Sequence, residues 1–318
     1  HTRYWRDWSS DVCSSDLFTR ITHSLTRADA GRITSESLTV RGATESRETR
    51  QYTYDASGRL TKAVIATGSA RSTFDYGFGP QDASCGSSYA AGRDNLRTSG
   101  ARDGSSFVNC YDAGGRLVST TDPALGGSAK VTYDARGRIT AISGPRALAL
   151  TWSGATTLAR LDEVTANGLL RTTLDTYDGQ ILDKTVSTES ESTTLRYGGS
   201  FLLGVTDGQV TGVAATQYGL PGGATVIIES GKEAVLTVSG ADGTALARVA
   251  VPSLGSGSAG DTGLAPRFGP YGEPLTTPTS ASAIPDYSWR AGARQETLTG
   301  TSSVTLMGAR PYHPWLGQ

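Results

Sequence analysis

Apolar and polar residues alternate with a period of two along much of this chain. Tyr52 and Tyr54 fall on one face of a strand, and Leu60 and Val64 fall on one face of its partner. Val131 with Tyr133, then Ile139 with Ala141, repeats the scheme. Such alternation on both sides of a tight turn predicts β-hairpins. One stretch competes. Across Thr156–Ala166, Leu158, Leu161 and Val164 fall three apart, which is the spacing of a helix face. Gly154 and Asn167-Gly168 bound it closely, and a strand is expected there because a longer period runs through it.

That period belongs to the turns. Tyr133-Asp134-Ala135-Arg136-Gly137-Arg138-Ile139 recurs as Tyr54-Asp55-Ala56-Ser57-Gly58-Arg59-Leu60 and as Tyr111-Asp112-Ala113-Gly114-Gly115-Arg116-Leu117. A worn copy is Asp29-Ala30-Gly31-Arg32-Ile33. Tyr111 and Tyr133 stand 22 residues apart, and Tyr177-Asp178-Gly179 follows two such periods later. Tyr54 and Tyr76 keep the same interval, and residues 77–110 break it. Tyr closes a strand and packs across it. Asp opens the turn by accepting backbone N–H groups. Gly supplies positive φ, and Arg with an aliphatic residue starts the return strand. The aspartates Asp55, Asp112 and Asp134 therefore read as turn formers. A single hairpin cannot bury its own face, whereas stacked copies can.

The repeated Tyr-Asp-x-x-Gly-Arg resembles the YD-repeat, or Rhs, family, and the resemblance runs from about Phe18 to the end of the chain. It implies an all-β fold, in which stacked hairpins form part of a β-sheet that spirals into a shell. In many members the shell encloses a toxic C-terminal domain, in a secreted or cell-surface bacterial protein. Phe268-Gly269-Pro270-Tyr271-Gly272-Glu273-Pro274 looks like the family's Tyr-x-Pro-Tyr/Phe-Gly-Glu element. Near the end, Gly308, Ala309, Arg310, Tyr312, Pro314, Leu316 and Gly317 match the core signature Gly-Ala-Arg-Tyr-Tyr-Asp-Pro-x-Leu-Gly-Arg-Phe. Pro311 replaces its first Tyr, His313 its Asp and Gln318 its Arg. Self-cleaving members cut with acidic residues around this region. His313 is not a carboxylate, so no catalytic residue carries over. The expected layout is a YD-repeat segment over 18–210 and a core-associated segment, cut short, over 211–318.

Residues 1–17 stand apart. Asp7-Trp8-Ser9-Ser10-Asp11-Val12-Cys13-Ser14-Ser15-Asp16-Leu17 reads as a translated sequencing adapter, so these residues are expected to be non-native and the chain a fragment. Composition narrows the rest. The net charge of −1 leaves no electrostatic footprint for nucleic acid. No apolar run is long enough for a membrane-spanning helix. Leu, Ile, Val and Phe are scarce while Thr, Tyr and Gly are plentiful, which suits a thin-walled, turn-rich β-structure. Glu45-Ser46-Arg47-Glu48-Thr49-Arg50 reads as a solvated strand or turn. Beyond Tyr197, turns at Leu220–Gly223 and Ser239–Gly243 separate strands, and Leu254–Pro266 and Thr276–Pro285 read as loops.

Cys85 and Cys110 bracket the interruption between repeats. A metal or redox pair lacks a nearby His and a zinc spacing. In an extracellular setting a disulfide is the expectation, with two buried free thiols as the alternative. By chain entropy such a loop contributes about 3.5 kcal/mol. Gly231-Lys232 is not a phosphate loop, because Val226 and Glu233 stand where Gly and a hydroxyl are needed. His23 and His313 are the only histidines outside residues 1–17, which gives a His-based triad little to work with. No catalytic, cofactor or metal site is expected. The function expected is containment and delivery of the protein's own C-terminal toxin domain by a non-catalytic shell. The alternative is a cell-surface module that binds glycans or proteins. Neither reading calls for nucleic acid or a membrane span.

Overall fold

The computed structural model describes residues 20–41, 44–86, 96–154, 156–178, 180–220, 224–240, 243–251, 262–275, 296–298, 304–307 and 310–316. Over these residues the chain is almost entirely strand. The first group is β1 (Arg20–Arg27), β2 (Ile33–Arg41), β3 (Glu45–Tyr54), β4 (Leu60–Thr67), β5 (Ala70–Gly77), β6 (Ser99–Arg102) and β7 (Ser105–Tyr111). Next come β8 (Leu117–Thr120), β9 (Ala129–Tyr133), β10 (Ile139–Ser143), β11 (Leu148–Ser153), β12 (Thr157–Thr165), β13 (Gly168–Tyr177) and β14 (Gln180–Ser187). The last group is β15 (Ser192–Gly198), β16 (Phe201–Thr206), β17 (Gln209–Gly219), β18 (Thr225–Glu229), β19 (Ala234–Ser239), β20 (Ala245–Val251) and β21 (Thr262–Leu264).

These strands form one 21-stranded sheet. Each strand pairs antiparallel with the one before it, as in β3 with β4, β12 with β13 and β20 with β21. Three short strands, β22 (Glu296–Thr297), β23 (Thr305–Met307) and β24 (Arg310–Tyr312), make a second antiparallel sheet. The sheet is two-faced. On β13, Leu170, Thr172 and Leu174 are buried while Leu169, Thr173 and Asp175 face solvent. The meander also bends back on itself. Ala247 of β20 packs with Leu38 and Val40 of β2, and Leu264 and Ile21 close the same cluster.

Several expectations change in detail. Leu60 and Val64 do not share a face. Tyr54 pairs with Leu60 but Tyr52 pairs with Ala63, because a bulge follows the turn. Likewise Ile139 and Ile142, and not Ala141, oppose Tyr133 and Val131. One extra residue in the return strand inverts the parity of everything after it. A bulge also explains the helix-like leucines. Thr151 pairs with Arg160 and Trp152 with Leu158, so Ala159 is the extra residue, and Leu158 and Leu161 are both buried.

The charge run Glu45–Arg50 lies in β3, but it is not wholly solvated. Glu48 is buried and paired with Arg50 at 2.7 Å and with Arg267. The stretch Leu254–Pro266 is not all loop, since β21 forms within it. Position 210/211 falls inside β17, and the ladder continues to Leu264. The sheet is also not a bare thin wall. Its buried face is covered by the chain's own C-terminal segment, which supplies Leu298, Val304, Leu306 and Leu316 to a core with Leu117, Leu125, Ile142, Leu158 and Leu161. The adapter-like residues 1–17, the loop 276–285, and Gly308, Ala309 and Gly317 lie outside the described residues.

Candidate functional site: the repeat turns and the segment held inside the sheet

Every full copy of the motif folds alike. The Asp134 N–H donates to the Arg138 carbonyl at 2.9 Å, and the Gly137 N–H donates to the Asp134 carbonyl at 3.0 Å. This is a three-residue hairpin loop ending in a glycine bulge, and that glycine must take positive φ. Gly58, Gly115 and Gly137 have φ of 81°, 77° and 79°. The Asp carboxylate locks the loop with both oxygens. Oδ1 of Asp134 accepts the N–H groups of Arg136 at 2.9 Å and Arg138 at 3.0 Å, and Oδ2 accepts Arg138 Nε at 2.6 Å. Asp55 accepts Arg59 N–H and Nε at 2.9 and 2.7 Å, and Asp112 does the same with Arg116 at 2.9 and 2.7 Å. The backbone N–H and then the guanidinium hold all three carboxyls below the usual range.

The worn copy has this turn in a different frame. Ala28 N–H bonds Arg32 O at 2.8 Å and Gly31 N–H bonds Ala28 O at 2.8 Å, so Ala28 occupies the Asp position and Asp29 lies within the loop.

Neighbouring copies interlock, which the motif alone does not reveal. The Arg116 guanidinium lies 5.4 Å from the Tyr133 ring centre, and the Tyr133 hydroxyl donates to the carbonyl of Leu117, the residue after Arg116, at 2.8 Å. Tyr54 does the same with Arg32, at 5.9 Å, and with the Ile33 carbonyl, at 2.8 Å. Trp152 takes the Tyr role after the third copy. Arg138 lies 5.2 Å from its ring, and its indole N–H donates to Ile139 O at 2.7 Å. Phe78 accepts Arg59 at 4.7 Å but has no hydroxyl to complete the pattern. Tyr111 follows the interruption and donates instead to Arg97 O at 2.9 Å. The Arg-to-aromatic spacing runs from 14 residues (Arg138 to Trp152) to 22 (Arg32 to Tyr54), so a search for Arg followed by any aromatic donor finds Trp152 only when that whole range is allowed.

The C-terminal segment docks where the interruption falls. Gly269-Pro270-Tyr271-Gly272-Glu273 repeats the bulged turn, with Gly269 N–H to Glu273 O at 2.6 Å and Gly272 at φ 84°. Glu273 is 0% exposed. Its carboxylate accepts the Tyr76 hydroxyl at 3.2 Å and the Tyr271 N–H at 2.8 Å. It lies 3.5 Å from Arg102 and 3.9 Å from Arg97. Arg102 also grips buried Asp122 through Nε at 3.0 Å and Nη2 at 2.9 Å. Burial works against the Arg102 charge, yet Asp122 and Glu273 outweigh it and raise its pKa. Burial, followed by the Glu273 charge, pushes the Tyr76 phenol well up.

Aromatic rings enclose both arginines. Arg97 lies 4.3 Å from the Tyr271 ring, and Arg102 lies 4.5 Å from the Trp315 ring.

The described residues of the signature-like stretch, 310–316, adjoin this docked turn. Arg310 and Tyr312 are in β24, and the Tyr312 hydroxyl donates to Tyr271 O at 2.9 Å. Pro314 and Leu316 are buried. His313 is 4% exposed, and burial pushes its imidazole down to about 4. Cys85 and Cys110 are joined in a disulfide with Cα atoms 5.2 Å apart. Among the described residues no group of three or more His, Cys, Asp or Glu is placed to hold a metal ion. No helix among them is long and apolar enough to cross a membrane.

Residues 111–148 match the family model described as RHS Repeat, and this span holds the second and third full copies. No curated protein matches the chain. Among solved structures, a chain in a TcdB2–TccC3–Cdc42 complex aligns at 15% identity and a TM-score of 0.38. One in a TcdB2–TccC3–TEV structure aligns at 16% identity and 0.37. Each alignment takes in 94% of this chain but 19% of the other. A porin-like protein from Bacteroides uniformis aligns at 11% identity and 0.20, over 76% of this chain and 88% of that one.

Proposed function

We propose, from the match of residues 111–148 to the RHS Repeat family model, that this chain belongs to the RHS-repeat family and is a wall section of a shell that contains and delivers a toxin. One observation carries the reading. The C-terminal segment does not leave the sheet but is clamped to its buried face through Glu273, Tyr271 and Trp315. A segment held this way closes the space the sheet curves around, and chain following it would begin inside that space. The repeats contribute stiffness and no chemistry in this reading. The aspartates are committed to their own turns, so no catalytic role is assigned to them. A bacterial, secreted or surface location fits the disulfide. The proposed division keeps a repeat segment ahead of a core-associated segment.

A second reading, a surface module that binds glycans or proteins, draws on a different observation. Phe201, Tyr218 and Ile228 are exposed, and Thr216 pairs with both Phe201 and Ile228, which sets these residues on one face of β16–β18. Sequencing the source locus across both ends of the frame separates the two. Containment expects the frame to continue into an unrelated domain, and that domain should resist protease in the full-length protein until the shell is opened. A frame that stops, or that continues into further repeats or an anchor, overturns containment and favours the surface module.

A further inference from the structure

We propose that the Cys85–Cys110 disulfide is a redox-sensitive latch that governs how firmly residues 267–275 are held on the buried face of the sheet. The inference goes beyond the containment reading and does not depend on any cargo. It starts from the position of Cys110 on β7. The two neighbours of Cys110, Asn109 and Tyr111, are buried, while Cys110 itself is half-buried on the opposite face. Cys85 is also half-buried, and Asp82, Ala83, Ser84 and Gly86 around it are exposed. The bond therefore sits on the solvent side of a strand whose other side faces the docked segment.

The cross-link closes a covalent loop from residue 85 to residue 110, and this loop carries both arginines that face Glu273. Arg97 is positioned from β7 itself. Its carbonyl accepts Asn109 Nδ2 at 2.8 Å and the Tyr111 hydroxyl at 2.9 Å, from the residues flanking Cys110. Gln81, four residues before Cys85, accepts the Tyr111 N–H at 2.6 Å. Arg97 in turn lies against the Tyr76 and Tyr271 rings, at 5.3 and 4.3 Å, and near the Glu273 carboxylate at 3.9 Å. Fixing Cys110 to Cys85 thus fixes the strand that sets the Arg97 backbone. Among the described residues, Arg97 and Arg102 are the guanidinium groups within 4 Å of the Glu273 carboxylate, which is fully buried.

The chemistry balances with a thiol reductant. A dithiol supplies two electrons and two protons, closes its own disulfide, and leaves one thiol each on Cys85 and Cys110. The 82–86 turn is then no longer covalently tied to β7, with the Gln81–Tyr111 hydrogen bond left beside it. Arg97 loses part of its fixed placement, and the buried Glu273 carboxylate keeps less counter-charge beside it. Such a site opens locally before the sheet does. Oxidising surroundings hold the segment closed and reducing surroundings release it.

Hydrogen exchange on the whole chain tests this, with dithiothreitol added to the folded protein and thiol labelling used to verify reduction. Peptides covering 267–275 should exchange about tenfold faster after reduction, while peptides in β12–β14 stay within about twofold. In the oxidised protein, Arg97→Ala should reproduce the acceleration at 267–275. Reoxidation should restore protection. The latch is overturned if 267–275 is unchanged after verified reduction. It is overturned equally if exchange rises uniformly across the sheet, or if the bond resists dithiothreitol in the folded chain. Because reduction is done after folding, a variant that fails to fold does not obscure the result.

Discussion

At the scale of single residues, the bulge glycines and one buried histidine give the sharpest expectations. A Cβ on Gly137 would meet nothing within 4 Å, so Gly137→Ala tests backbone strain alone. It should cost about 1–2 kcal/mol, the penalty of the left-handed region for an L-residue. Gly58→Ala should cost more, because its Cβ would collide with the Arg32 guanidinium, which must then shift from its place over the Tyr54 ring. Urea melts of both variants check the order. The pH dependence is equally specific. His313 has its folded pKa depressed to about 4 by burial, so its neutral form is the one that fits. Stability is fully present above the ordinary histidine value and declines as pH falls from there towards 4, by about 3 kcal/mol in all. Asp55, Asp112 and Asp134 are depressed below the ordinary carboxylate value, so their contribution is lost at still lower pH. His313→Gln should flatten the first window and leave the second. An unchanged profile between pH 6.5 and 4 would remove His313 as its source.

At the scale of elements, the hairpins stack through aromatic residues and arginines as well as through the ladder. Tyr133→Phe keeps the ring under Arg116 but removes the bond to Leu117 O, and should cost about 1 kcal/mol. Phe78 is a natural instance of the ring without the bond. This scale also shows what was legible in the sequence. Tyr-Asp-x-x-Gly-Arg gave the hairpins, the positive-φ glycines and the turn-forming aspartates, because local backbone chemistry requires each of them. The faces of the return strands were not legible. A bulge adds one residue without changing the alternation visible in the sequence, so that alternation alone assigns Val64 and Ala141 to the wrong side. The interlock escaped for a related reason. Its partners, such as Arg138 and Trp152, are joined across strands and share no contiguous motif.

At the scale of the molecule, stability depends on what covers the buried face. The sequence suggested a thin wall because its aliphatic residues are few. The structure pools them instead, with Leu298, Val304, Leu306 and Leu316 set against Leu117, Ile142 and Leu158. That long-range pooling cannot be read from local periodicity. Nor could the burial of Glu273, whose partners Tyr76, Arg97 and Arg102 are far away in sequence. Glu273 should therefore be the most consequential single side chain in the C-terminal segment. Replacing it with Ala leaves Arg97 and Arg102 buried with less counter-charge, and breaking such a buried arrangement costs about 3–5 kcal/mol. The cost should be local before it is global. Asp122 still holds Arg102, and the ladder from β1 to β21 makes its own backbone bonds. Glu273→Ala should thus unfasten residues 267–275 and the short sheet β22–β24 while the meander persists. Far-ultraviolet circular dichroism should stay near that of the unmodified protein, whereas binding of a dye that reports exposed apolar surface should rise as Leu117, Ile142 and Leu158 lose their cover. A variant that binds no more dye than the parent would show that the apolar contacts hold the segment without the charge. A variant that loses its circular dichroism signal would show that the sheet needs its lining in order to stand.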